Sequence, residues 1–141
     1  MTFKFRLEKI LHFVKLRETV KKMEVSAILQ RLRFMERQRE ELSTGIRDML
    51  GKQSDMDFSW KYYQINKVVQ DVKDLKVLDT SILHEQTALE RKKRELATLF
   101  QRKRALESLR EKKSKEFRVD QSHKQQRELD EIFQLSRGKR W

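Results

Sequence analysis

From Leu7 to Met49 the chain repeats in sevens, and that repeat limits what it can fold into. One register holds Leu7, Val14, Lys21, Ile28, Met35, Leu42 and Met49. Four residues after each of the first six stand Leu11, Glu18, Val25, Leu32, Arg39 and Ile46. Ten of these thirteen positions are apolar, and the frame never slips. A lone helix cannot bury a seam of threes and fours, so the pattern asks for a partner helix. Three glycines and no proline in the whole chain leave little to interrupt a long rod.

The partner helix is in the same chain. Gly51-Lys52-Gln53-Ser54-Asp55-Met56-Asp57 is the one stretch with loop chemistry, and Ser54 or Asp57 is placed to cap a second helix. That helix carries its own seam through Ile65, Val68, Val72, Leu75, Leu78, Ile82, Leu89 and Leu96, and on to Leu99, Leu106 and Leu109. It loses strict phase at Leu78–Gln86 and again at Leu96–Leu99, which predicts local unwinding or a bend. The expected fold is all-α: two long helices forming an antiparallel coiled-coil hairpin, the second longer and overhanging. As one domain, 1–141, it divides into a helix at 3–50, a turn at 51–57, a helix at 58–136 and a frayed tail at 137–141. At 1.5 Å per residue the helices span ~70 and ~117 Å. Pairing from the turn to about residue 105 leaves roughly 30 residues, ~45 Å, of unpaired rod.

Two apolar clusters exceed what one seam needs. Phe3, Phe5, Leu7, Ile10, Leu11, Phe13, Val14 and Leu16 crowd the first turns, where Thr2 is a candidate cap. They make either a wide core face or a docking end ringed by Lys4, Arg6 and Lys9. Phe58, Trp60, Tyr62 and Tyr63 form the densest aromatic cluster. Phe58, Tyr62 and Ile65 share one side of a helix, Trp60 and Tyr63 another. They either seal the turn or offer a recognition patch for another protein.

Charge constrains the partners. The net charge is +12, which favours an acidic protein face, anionic lipid or nucleic acid. Between Glu90 and Arg118 twelve basic residues stand among five acidic ones, around the point where pairing is expected to end. These are Arg91, Lys92, Lys93, Arg94, Arg102, Lys103, Arg104, Arg110, Lys112, Lys113, Lys115 and Arg118. The dense aromatic cluster stands at the far tip, and only Phe100 and Phe117 fall among these cations, too few to interleave with them as stacking platforms, so nucleic acid is not the expected partner. Enzyme chemistry is not expected either. His12, His84 and His123 are scattered, no glycine-rich phosphate loop exists, and cysteine is absent. The reading is of no cofactor, no metal and no small-molecule substrate. No run of about 18 apolar residues occurs, and the first residues lack the apolar core of a secretory signal.

Four stretches resemble the FliJ family, the small coiled-coil component of the bacterial flagellar type III export apparatus. They are the opening Phe3-Lys4-Phe5-Arg6-Leu7-Glu8-Lys9-Ile10-Leu11, then Trp60-x-x-Tyr63-Gln64, then Arg104-Ala105-Leu106-Glu107-Ser108-Leu109-Arg110-Glu111-Lys112-Lys113, and the closing Gln126-x-x-Leu129-Asp130-Glu131-Ile132-Phe133. The resemblance implies a hairpin similar to the stalk of rotary ATPases, monomeric alone. Its paired termini would enter the hexameric ring of the flagellar export ATPase. Another surface would contact the membrane export gate protein, and export chaperones would be handled as well. It implies a location in the cytoplasm, at the inner membrane beneath the flagellum. By resemblance the ring contact falls on Arg6, Lys9, Arg104, Arg110, Lys113, Leu129 and Asp130, and the gate contact on Trp60, Tyr63, Ile65, Val69 and Val72. Two other classes stay open: a homodimeric coiled-coil scaffold, and a basic coiled coil that binds nucleic acid or anionic membrane.

Overall fold

The computed structural model describes residues 2–51 and 58–138. Two helices carry nearly all of them, α1 at Glu8–Gly51 and α2 at Phe58–Gly138, and the described residues contain no strand. The chain is therefore all-α, as the heptads require. Their packing falls into two compact units. Met1–Glu18 with Thr98–Trp141 make a terminal unit, and Thr19–Ala97 make a middle unit.

In the middle unit the helices run antiparallel. Lys21 meets Glu95, Arg31 meets Glu85 at 3.4 Å, and Arg39 meets Asp79, so each step up α1 is a step down α2. The core is Ile28, Leu32 and Ile82, with Met35, Leu78, Ala88 and Leu89 packed against it. In the terminal unit Lys15 lies 3.8 Å from Glu107, Arg110 3.1 Å from Glu8, and the Phe3 and Phe117 rings are 5.6 Å apart. That order is antiparallel too. Leu11, Val14 and Leu99 are its buried apolar residues.

Burial follows the predicted α1 frame closely. Of the thirteen seam positions only Arg39 is exposed. On α2 the expected phase slips do not occur. Partly or fully buried positions continue in threes and fours through Gln64, Val68, Asp71, Leu75, Leu78, Ile82, Glu85, Leu89, Lys92, Leu96, Leu99, Lys103 and Leu106. Counting apolar residues alone breaks the frame, because Glu85, Lys92 and Lys103 occupy seam positions as polar residues.

The ends differ from expectation as well. Helix α1 begins at Glu8, not Phe3. Before it Glu8 N donates to Phe5 O at 3.2 Å, and the Phe3 ring turns onto Phe117. Packing of that ring holds the first residues off the helical path. The contact also carries pairing past residue 105, so the free arm is shorter than predicted: every residue from 122 to 138 is exposed, ~26 Å of rod. Helix α2 continues through Arg137 and Gly138, and Arg137 in its last turn suits the helix dipole. Gly51, expected in the turn at 51–57, is instead the last residue of α1, and Arg137 and Gly138, expected in the tail at 137–141, are helical. The rest of that turn with its caps, 52–57, and of that tail, 139–141, lie outside the described residues.

Gly45 sits inside α1 without positive φ, and a Cβ built there meets nothing within 4 Å. Glycine costs a helix interior about 0.5–1 kcal/mol relative to alanine. Gly45→Ala is expected to raise stability by about that amount, read as a higher denaturation midpoint.

Candidate protein-docking surfaces

The terminal unit builds one surface around its first residues. Because Phe3 leans on Phe117, the segment before α1 lies beside α2 and walls a cleft of about 690 Å³. Phe3, Phe5, Leu7, Leu109 and Phe117 give it an apolar floor, and Arg6, Lys113, Glu116 and Asp120 a charged rim. A second concavity joins Arg6 and Lys9 to Arg110. The structure thus brings four of the seven ring-contact candidates together: Arg6, Lys9, Arg110 and Lys113. Arg110 is held by Glu8 at 3.1 Å and Lys113 by Glu116 at 3.5 Å. Arg104 lies elsewhere on α2, its guanidinium 5.7 Å from the Phe100 ring centre. Leu129 and Asp130 do not join the cleft. They belong to the exposed arm, ~24 Å along the helix from Lys113.

The basic tract is less free than its charge suggests. Lys92, Arg94, Lys103, Arg110, Lys113 and Lys115 each lie within 4 Å of a carboxylate. At least half of its twelve cations are therefore matched within the chain.

The middle unit leaves its aromatics outside. Phe58, Trp60, Tyr62 and Tyr63 are all exposed, so they do not seal the pairing of the helices. That place belongs to Gln64, whose side-chain amide donates to Met49 O. The Trp60 and Tyr63 rings lie 5.5 Å apart, tilted by 34° to each other, and form one exposed aromatic plate. Ile65 and Val69 are exposed, whereas Val72 is half-buried beside the seam. Helical spacing puts Ile65, Val69 and Val72 on one side and Trp60 with Tyr63 on another. The five gate candidates thus form two patches.

Sequence reading missed the polar layers within the seam. In the terminal unit Glu18 is 3% exposed, and Lys103 Nζ lies 3.1 Å from its Oε1 and 2.9 Å from its Oε2. In the middle unit Lys21, Glu24, Lys92 and Glu95 form a tetrad. Lys21 bonds Glu95 and lies 3.4 Å from Glu24, which Lys92 approaches at 3.0 Å. Glu18 and Lys21 standing at seam positions were the available signal.

These contacts shift proton affinities. The bond from Lys92, with the charge of Lys21 behind it, holds Glu24 below its ordinary 4.5. The bond from Lys21 does the same for Glu95. Lys21 is raised above 10.5, chiefly by its bond to Glu95. A depressed carboxylate stabilises the fold above its ordinary value, and that contribution fades as acid passes through the folded one. A raised amine stabilises below its ordinary value and fades as alkali passes through the folded one. The tetrad's contribution is thus expected to be flat from about pH 5.5 to 9.5 and to fall on both sides. Denaturation midpoints across pH test this, and Glu24→Gln/Glu95→Gln should lose less on the acid side than wild type.

Among the described residues no three His, Cys, Asp or Glu are grouped to hold a metal, and no helix is long and apolar enough to cross a membrane. Comparison of the chain with protein-family models, with curated proteins and with solved structures found no match.

Proposed function

We propose that the chain is a non-enzymatic stalk of the bacterial flagellar export apparatus. In this reading the terminal unit engages the ring of the export ATPase, and the middle unit meets the membrane export gate. The protein works in the cytoplasm, held at the inner membrane by its partners, and it passes export chaperones on. The proposal starts from the four stretches that resemble FliJ. The observation that carries it furthest is the cleft beside Phe3 and Phe117. Arg6 and Lys113 line it, and Arg6 joins Lys9 and Arg110 in the adjoining concavity, so four cations from both ends of the sequence gather around its apolar floor. Such a surface suits an acidic protein opening, because charge steers the encounter and buried aromatics hold it. The exposed Trp60–Tyr63 plate gives the second contact its own chemistry.

The test adds purified chain to a hexamer-forming flagellar export ATPase. Hydrolysis and ring formation should both rise, and Arg6→Glu/Lys9→Glu should lose most of the gain. Trp60→Ala/Tyr63→Ala should keep the gain but lose capture of the gate protein. If wild-type chain changes neither hydrolysis nor assembly, the stalk reading falls.

A further inference from the structure

In the middle unit, α1 carries a second seam outside its core. The buried frame there is Lys21, Val25, Ile28, Leu32 and Met35. Five residues before Val25, Ile28, Leu32, Met35 and the next seam position, Arg39, stand Val20, Met23, Ala27, Gln30 and Phe34. Five residues turn an α-helix by about 140° in the opposite sense, so this face looks away from α2. All five side chains are exposed, with Met23 at 66% and Phe34 at 57%. Single exposed apolar residues need no explanation, but a row in threes and fours is the pattern one helix offers another.

The borders of this row say what would lie on it. Arg33 and Arg37 flank its Phe34 end, while Arg31 beside them is already held by Glu85. The bordering carboxylate, Glu24, is already held by Lys21 and Lys92 within the unit. A second copy of the chain would bring the same arginines and the same +12 charge to the contact. Like charges along facing coiled-coil edges disfavour that pairing, and opposite charges favour it.

We propose that Val20, Met23, Ala27 and Phe34 form a docking seam for an amphipathic helix of a partner protein, apolar in a 3–4 repeat and edged with Asp or Glu. Binding adds a third strand to the unit. Gln30, the polar member, sits where a single polar seam position fixes register. None of these residues belongs to the ring or gate sets, so the seam stands independently of the stalk reading.

The probe is a labelled 28-residue helical peptide with leucine at its a and d positions and glutamate at e and g. Anisotropy is measured with the full chain at two salt concentrations. Wild type should bind it, and more weakly at high salt. Met23→Ser/Phe34→Ser, which removes apolar surface without changing charge, should weaken binding at least tenfold while circular dichroism keeps the wild-type helix content. A peptide with the same leucines and lysine edges should bind at least tenfold more weakly. No binding by wild type, unchanged binding by the serine variant, or equal binding of the lysine-edged peptide would each overturn the proposal. So would a concentration-dependent dimer of wild type that the serine variant abolishes, since the occupant would then be a second copy.

Discussion

Ile28→Asp is expected to unfold the middle unit, while Phe34→Asp, nearly two turns further along the same helix, leaves it standing. Ile28 is 4% exposed and packs with Leu32 and Ile82, and Met35, Leu78, Ala88 and Leu89 close around them. A carboxylate there loses its water without gaining a cation, and the apolar contacts of isoleucine go as well. Truncation of such a side chain alone costs about 2–5 kcal/mol, and a buried unpaired charge adds several more. A domain of this size has about 5–15 kcal/mol in total. The expected result is loss of the cooperative transition at 37 °C for Ile28→Asp. Phe34 is 57% exposed, so its replacement should move stability by no more than about 0.5–1 kcal/mol. The contrast reads the facing of α1 directly. If Phe34→Asp were the damaging change, the helix would be rotated and both seams would exchange roles.

That contrast also marks how far the sequence could be read. The α1 seam is legible because apolar residues fill ten of thirteen places, which fixes a period without any knowledge of the partner. On α2 the same period is present but is written partly in charge. Glu85, Lys92 and Lys103 occupy half-buried places because α1 supplies Arg31, Glu24 and Glu18 opposite them. A search for apolar residues reads those places as slips, and only the pairing register reveals them as matches. The first residues depart from expectation for a related reason. Phe3 to Leu7 has adequate helix propensity, yet a single ring contact with Phe117 outweighs it. The cleft that this contact builds is therefore invisible in the sequence, although the resemblance points to Arg6, Lys9, Arg110 and Lys113 one by one. It points to Leu129 and Asp130 on equal terms, but their distance along α2 keeps them out of the cleft. The outward row from Val20 to Phe34 is masked by the stronger seam on the same helix, which alone accounts for the heptads.

The Glu18–Lys103 pair should show the largest split between single and double substitution. Lys103→Met removes the ammonium that holds both oxygens of a carboxylate only 3% exposed. Breaking a buried pair from one side costs about 3–5 kcal/mol, and about 3 is expected here because the lysine side chain itself is 20% exposed. Glu18→Leu/Lys103→Met removes both charges and fills the layer with apolar matter. Such replacements are often neutral or stabilising by about 1–4 kcal/mol, so the double variant should melt no lower than wild type. Its cost falls on uniqueness. With Leu11 and Val14 on one side and Leu99 and Leu106 on the other, the terminal unit would present an unbroken apolar seam. A seam without a polar layer accepts neighbouring registers and extra strands, since none of them strands a charge. Sedimentation of the double variant should therefore show several species where wild type shows one. If the double variant were stable and still a single species, specificity would have to lie in the Lys21–Glu24–Lys92–Glu95 tetrad. Applying the same paired substitution to Glu24 and Lys92 would then locate it.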